Sequence, residues 1–208
     1  MDYIKKPGVI EEKSFQIIEK ELGANNFTYR ELLIIKRVIH TTADFEYKDL
    51  LYIRPGAIDD ALKLLKEGTT IYTDTNMILA GINKRALKTL NCSVVSYVAE
   101  DEIAQIAKDR GITRSMAAIE RASEEGINFF VIGNAPTALY KLKELVEEGK
   151  CNPSFVIAVP VGFVGAAQSK KDFEELTLPM ITVRGRKGGS TVAAAIVNAL
   201  LYMLVNRK

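Results

Sequence analysis

The chain is poor in histidine and cysteine, and this scarcity excludes several kinds of site. Its single histidine, His40, rules out a metal site built from several imidazoles, so we expect no bound metal. The two cysteines, Cys92 and Cys151, lie far apart and lack CxxC spacing. We interpret them as free thiols in a reducing cytoplasm rather than as a disulfide or a redox pair.

Charge and hydropathy exclude two further kinds of partner. The 28 basic and 26 acidic residues leave a formal net charge of +2, without the clustered basic face that is typical of nucleic-acid binding. The longest apolar stretch, residues 192–205, is interrupted by Asn198 and is shorter than the roughly 20 residues that span a bilayer. The first residues lack the apolar core of a signal peptide. We therefore expect a cytoplasmic protein that binds neither nucleic acid nor a membrane.

Three common active-site motifs are missing as well. Neither GxGxxG nor GxxxxGK[ST] occurs, which argues against a nucleotide as the default ligand. A GxSxG elbow is also absent, so nothing in the sequence supports a Ser-His-Asp triad.

The hydrophobic pattern changes character about one third of the way along the chain. Residues 1–68 show helical spacing, including a Thr28–Glu31 capping box, a stop at Gly23, and a third helix that could start at Pro55 and end at Gly68. From residue 69 onward, β-rich runs at 70–73, 93–98, 128–132, 155–159 and 180–183 alternate with amphipathic helical stretches. This alternation predicts a three-layer α/β/α fold with about five parallel strands. We expect one domain, 1–208, with the helical third packed on the α/β core.

The loops that follow these strands combine glycine with a few polar groups. Ligands bind beyond the carboxyl ends of the strands in open parallel sheets, and glycine lets a backbone approach a ligand closely. The loops at 133–137 and 160–167 contain Asn134, Gly162 and Gly165, and together with the loop at 74–77 they predict a broad binding floor.

The last loop carries the clearest physical signal. Arg184 and Arg186 precede Gly188, and the final helix is expected to begin at Ser190. Helix N-termini attract anions, and arginine binds carboxylates or phosphates through two hydrogen bonds, so we favour an anion site. The alternative is a solvated basic turn with an ordinary serine cap.

Sequence context alone gives the other candidate polar residues ordinary structural roles in helices. His40 at a helix end is read as a cap, although Arg37 shares its face and could hold an anion within reach of the imidazole. Ser14 has no special role within the first helix, and Ser115, next to Arg114, is read as a helix cap.

Read together, the motifs resemble those of the precorrin-8X methylmutase family, also known as cobalt-precorrin-8 methylmutase. The segments that carry the resemblance are 14–18, 38–45, 113–115, 132–139, 160–167 and 184–190. The resemblance implies a flavodoxin-like fold, a homodimer, and a tetrapyrrole bound near the dimer interface. One departure is Gln168, where glutamate is common in the family.

The resemblance also implies an activity, an isomerisation that needs no redox cofactor. A methyl group would migrate within ring C of precorrin-8X or cobalt-precorrin-8, giving hydrogenobyrinic or cobyrinic acid in cobalamin biosynthesis. His40 matches the catalytic histidine of the family, and Ser14 and Arg37 match its substrate-binding residues. These roles, implied by the resemblance, replace the helix-cap interpretation of His40 and give Ser14 a function. Further substrate contacts are expected from Arg114, Ser115, Asn134, Gly162, Gly165, Arg184, Arg186, Gly188 and Ser190.

Two alternatives stay open at this point. A corrinoid carrier without catalysis would need a similar site, and an enzyme acting on a phosphorylated metabolite could use the last loop. The final helix also favours the homodimer, because its apolar residues include Val192, Ile196 and Leu200. Nothing in the sequence indicates whether the natural substrate carries cobalt.

Overall fold

A computed structural model describes residues 4–205 of the chain. The helices in this range are α1 (Pro7–Leu22), α2 (Tyr29–Thr42), α3 (Tyr47–Leu50), α4 (Ala57–Glu67), α5 (Asn76–Gly81), α6 (Lys84–Thr89), α7 (Asp101–Arg110), α8 (Arg114–Glu124), α9 (Pro136–Glu147), α10 (Ala166–Glu174) and α11 (Ser190–Tyr202). The strands are β1 (Leu51–Ile53), β2 (Thr70–Thr73), β3 (Ser93–Val95), β4 (Phe129–Ile132), β5 (Phe155–Ala158) and β6 (Met180–Val183).

The six strands form one mostly parallel sheet in the order β1-β6-β5-β4-β2-β3. Strands β2 to β6 are the five parallel strands expected from the sequence. The expectation was wrong about the sixth strand, because β1 pairs antiparallel with β6 at the sheet edge. A run of three half-buried residues followed by Arg54 and Pro55 is too short to show a strand periodicity.

The N-terminal third is consequently not purely helical. Its helices largely match the predicted positions, and the capping box of Thr28 and Glu31 is present. Gly23 and Gly68 follow the last turns of α1 and α4, as expected. Pro55 precedes α4 by two residues and does not open it. Strand β1 lies between α3 and α4 and joins this third of the chain to the sheet.

Both faces of the sheet are covered, which confirms the three-layer arrangement. Along β4, Phe129 and Val131 face one apolar cluster, with α1, α2, α4, α5, α6 and α11, while Phe130 and Ile132 face the other, with α7 to α10. These four side chains are fully buried. Fully burying a large apolar side chain contributes roughly 1.5–3 kcal/mol, so a strand that is apolar on both faces is stable only between two helical layers.

Helix α11 is apolar on nearly all sides because it is enclosed by its own chain. It packs against α2, α4 and α5, and Val192, Ile196 and Leu200 are almost completely buried there. These residues therefore cannot form a subunit interface. The apolar pattern of the final helix, contrary to the expectation from the sequence, does not support a homodimer. None of the helices in the described range is long and apolar enough to cross a membrane.

Candidate active site

The centre of the carboxyl edge of the sheet is organised by the buried side chain of Asp74, which directly follows β2 and is 1% exposed. Its carboxylate accepts hydrogen bonds from the backbone N–H groups of Gly133, Asn134 and Ala135, at 2.8–2.9 Å. Burial raises the pKa of Asp74, and the three N–H donors act in the opposite direction. The loop after β4 is thereby fixed to β2, with Asn134 exposed at the edge.

A second link joins the loop after β2 to the start of α11. The Thr75 hydroxyl oxygen accepts the N–H of Ile78 and lies 3.1 Å from the Ser190 hydroxyl. Helix α11 begins at Ser190 as predicted, and Gly189 holds its cap position, so the alternative of an ordinary serine cap is wrong. Ser190 instead uses its side chain to hold two loops together. Asp74 and Thr75 lie in the predicted binding loop 74–77, but their individual roles could not be predicted because their partners are about 60 and 115 residues away along the chain.

The glycine loop, residues 184–189, packs backbone to backbone against the loop after β5. Gly189 donates to the carbonyl oxygen of Val159 at 2.9 Å, and Gly162 donates to that of Arg186 at 3.1 Å. Gly188 has a φ of +148°, and a Cβ built there would lie 2.2 Å from the Val159 oxygen. Only glycine permits this close approach.

The cations of the glycine loop point to different partners. Arg184 forms an ion pair with Glu174 at 2.9 Å and lies 4.4 Å from the ring centroid of Tyr52, so it is engaged beside β1. Lys187 pairs with two carboxylates that follow α2. Arg186 is exposed and makes no ion pair with a residue in the range 4–205; its guanidinium lies 5.6 Å from the Phe163 ring centroid. Arg186 is therefore the arginine of this loop that is available to a ligand.

His40 is near the end of α2 but does not cap it. The helix ends at Thr42, and the residue that caps it is Ala43, whose N–H donates to the carbonyl oxygen of Ile39, which does not agree with the cap interpretation of His40. The exposed imidazole stacks on Phe15 with ring centroids 5.0 Å apart, and it makes no hydrogen bond to a described residue. One side of the ring is thus supported while its nitrogens are open to a ligand.

The same phenylalanine supports the neighbouring cation. The guanidinium of Arg37 lies 4.7 Å from the Phe15 ring centroid and pairs with Glu11 at 2.8 Å. Ser14 precedes Phe15, and its hydroxyl donates to the carbonyl oxygen of Ile10 at 2.8 Å. The side chains of His40 and Arg37 therefore both pack against the ring of Phe15, the residue that follows Ser14 in the sequence.

A cavity of about 340 Å³ opens between α2, α5 and α11. Arg37 and Thr41 line it from α2, and Ser190 and Thr191 line it from the start of α11. The remaining lining residues are Met77, Gly81, Ala194, Ala195, Asn198 and Tyr202. A cation and hydroxyls above small apolar residues suit a carboxylate on a short aliphatic stem.

Not every predicted site residue lies at this cavity. Arg114 and Ser115 begin α8 on the opposite face of the sheet, and Arg114 lines a separate concavity of about 590 Å³. Gly162 and Gly165 flank the exposed Phe163 and Val164 in the loop after β5. Gln168 donates to Asp172 on the exposed side of α10 and does not enter the cavity. Among the described residues, no group of histidine, cysteine or acidic side chains is arranged to hold a metal ion.

These features define an α/β protein with a cavity lined by Arg37, Thr41 and Ser190 at the carboxyl edge of its sheet, beside the exposed imidazole of His40. A family model described as precorrin-8X methylmutase matches residues 9–203. The chain belongs to this family of precorrin-8X and cobalt-precorrin-8 methylmutases, which are enzymes of cobalamin biosynthesis.

The relatives match over nearly the full length. A cobalt-precorrin-8 methylmutase of Salmonella typhimurium is 46% identical, covering 98% of this chain and 99% of the relative. A precorrin-8X methylmutase of a Sinorhizobium species is 36% identical, covering 96% of both. The crystal structure of precorrin-8X methylmutase from Thermus thermophilus superimposes with a TM-score of 0.87 at 38% identity, covering 94% of this chain and 95% of that one.

The close packing at Gly188 leads to a testable prediction. Gly188→Ala should destabilise the fold by about 2–4 kcal/mol, because the new methyl group meets the Val159 carbonyl in a backbone conformation unfavourable for alanine. Gly185→Ala is the matched control, with φ +77° and no atom within 4 Å of its added Cβ, and should lose only about 1 kcal/mol. Urea unfolding followed by circular dichroism measures both. Equal losses would show that the close approach is not needed.

Proposed function

We propose that the chain catalyses migration of a methyl group between adjacent carbons of ring C in precorrin-8X or cobalt-precorrin-8. The product would be hydrogenobyrinic acid or cobyrinic acid. The observation that carries the proposal is an imidazole with open nitrogens, His40, on the same helix face as Arg37, which lines the cavity between α2, α5 and α11. Family membership supports the reaction class.

The carboxyl edge of the sheet suits a flat macrocycle that carries acetate and propionate groups. Met77, Val161, Phe163 and Val164 are large apolar side chains exposed around this edge, where they could contact the ring. Arg37 pairs with Glu11 through Nη1 alone, so its other N–H groups would be available, with Ser190, to bind one carboxylate in the cavity, and Arg186 would bind another. Backbone N–H groups near Gly188, Gly162 and Gly165, with the side chains of Asn134 and Ser14, are the further contacts we propose.

His40 would act as the acid that protonates the macrocycle beside the migrating methyl group. Protonation draws electron density from ring C and eases the shift, and the neutral imidazole would then take a proton back from the rearranged macrocycle. Histidine suits this task because an imidazole changes its protonation state near neutral pH. Stacking on Phe15 fixes the ring plane, and the exposure of His40 leaves room for a substrate to reach its nitrogens. No step requires a redox cofactor, since substrate and product are isomers.

The order of the five parallel strands supports the finer description of the fold as flavodoxin-like. Numbered along the chain, strands β2 to β6 stand in the order 2-1-3-4-5. Ligands of that fold bind where the strand order reverses. Here the reversal lies between β2 and β4, where Asp74 joins the two loops.

We also propose a homodimer, supported by the outer face of α1. Val9, Ile10 and Ile17 are nearly half exposed there, an uncommon arrangement for three large apolar residues on one helix. A second copy would also offer a way for Arg114 and Ser115, which lie across the sheet from Arg37, to reach the same macrocycle.

The dimer is tested by light scattering. At micromolar concentration we expect the mass of two chains, and Ile10→Glu combined with Ile17→Glu should shift the protein towards one chain by placing charges in an apolar contact. A wild-type protein that is monomeric at this concentration contradicts the proposal.

Arg186→Ala should weaken product binding by about one to two orders of magnitude, because a charge-assisted hydrogen bond contributes roughly 1.5–3 kcal/mol. Arg184→Ala is the control from the same loop and should stay within about two-fold of wild type, since Glu174 already engages that guanidinium. Titration with hydrogenobyrinic acid measures both affinities. Unchanged affinity in a folded Arg186→Ala variant rejects the proposed contact.

His40→Ala should reduce turnover about 10²- to 10⁴-fold, the usual contribution of a general acid, while product affinity stays near that of wild type. Single-turnover absorbance of precorrin-8X measures the rate, and product titration confirms that the site is intact. Near-normal turnover would remove His40 from the mechanism.

A further inference from the structure

We propose that Lys187 is a positioning residue that fixes the end of α2, and with it His40, against the glycine loop. This inference rests on the proposed catalytic role of His40. The three cations of the loop look equivalent in sequence, but the structure gives Lys187 a different task from anion binding.

The ammonium group of Lys187 is shared by two carboxylates that follow the helix of His40. It forms ion pairs with Asp44 and, at 2.7 Å, with Glu46. These residues stand four and six positions after His40, while Lys187 is 141 positions beyond Glu46. The bridge therefore joins two distant parts of the chain at the carboxyl edge of the sheet.

The acidic side of the bridge is a compact turn. Ala43 adopts the left-handed conformation with φ 53°, which ends α2. Asp44 accepts the N–H of Glu46 with one carboxylate oxygen, at 3.0 Å, and bonds Lys187 with the other. A shift of the turn would thus move the last turn of α2, where Thr41 lines the cavity next to His40.

The basic side is anchored through its backbone. The carbonyl oxygen of Lys187 accepts a hydrogen bond at 2.7 Å from the ammonium group of Lys170, a fully buried residue of α10. Burial lowers the pKa of Lys170 to about 8. The adjacent Gly188 carbonyl lies 3.5 Å from the Tyr47 hydroxyl, which donates to it. Lys187 is consequently held at the backbone by α10 and α3, and at the side chain by the turn after α2.

The positive charge of Lys187 is already matched within the chain by two carboxylates. Hydrogen bonds with Asp44 and Glu46 raise the pKa of Lys187, and the bond to Lys187 lowers the pKa of Asp44. These shifts keep Lys187 and Asp44 ionised near neutral pH, so the charge of Lys187 is already engaged within the chain and is not available to a substrate carboxylate. Because the pair is partly exposed, it should add little to global stability.

The first test separates the rate from binding. Lys187→Met should lower kcat about 10- to 100-fold, because a misplaced catalytic group loses rate steeply, while KM and product affinity stay within about two-fold of wild type. Lys187→Arg should restore most of kcat. Lys143→Met, which removes an exposed lysine–glutamate pair on α9, is the control and should leave kcat unchanged. An unchanged kcat for Lys187→Met, or an effect on KM alone, overturns the inference.

The second test asks whether Lys187 acts through His40. In a His40→Ala background, Lys187→Met should cause no further loss of turnover, whereas full additive losses would show that the two act independently and would reject the inference. If His40→Ala alone keeps near-normal turnover, the proposed mechanism and this inference both fail. If His40→Ala is impaired and Lys187→Met is not, only the inference fails. Asp44→Asn removes the same bridge from its other side and replaces Lys187→Met if that variant does not fold.

Discussion

The buried carboxylate of Asp74 is the interaction on which the binding edge depends. A carboxylate that is 1% exposed is costly to bury unless it is hydrogen-bonded, and here three successive backbone N–H groups provide that compensation. The interaction fixes the loop after β4 at the point where the strand order reverses. Thr75, the next residue, reaches Ser190, so hydrogen bonds link the loops after β2, β4 and β6 into one unit.

The N-terminal helices are joined to this unit by packing and by charge. Helix α2 lies against the enclosed α11, which itself begins in the glycine loop. The Lys187 bridge then ties the turn after α2 to the same loop. The turn after α2 and the glycine loop, more than 140 residues apart in the sequence, are thus in contact. The imidazole of His40 faces outward beside the cavity at this junction. The catalytic geometry that we propose is a consequence of this junction rather than of any single helix.

The sequence predicted those parts of the molecule that depend on local periodicity. The parallel strands and the helices from α7 to α9 have clear patterns, as has the capping box at Thr28. Strand β1 was not predicted, because it has only three residues and its strand conformation depends on pairing with β6. The apolar pattern of α11 suggested a subunit contact. The helix is instead buried by other helices of its own chain, whose positions cannot be predicted from local patterns.

The site shows the same division between local and distant information. Local patterns marked the glycine loop, yet they could not distinguish its cations, because the partners Glu174, Asp44 and Glu46 come from other elements. His40 received a catalytic role from family resemblance alone, and its setting on Phe15 needed the structure. The sequence placed Asp74 in a binding loop but did not predict that its carboxylate is buried, and Lys170 gave no sequence signal, since a buried charged residue is recognised only by the groups that surround it.

The central claim is that this edge performs a chemical conversion and does not merely hold a corrinoid. The most direct measurement mixes a small amount of purified protein with excess precorrin-8X, or its cobalt form, and follows the absorption spectrum. The account predicts conversion of many equivalents of substrate to the corrin spectrum of the isomerised product. A spectrum that changes only in proportion to the protein present, or substrate recovered unchanged, would contradict it.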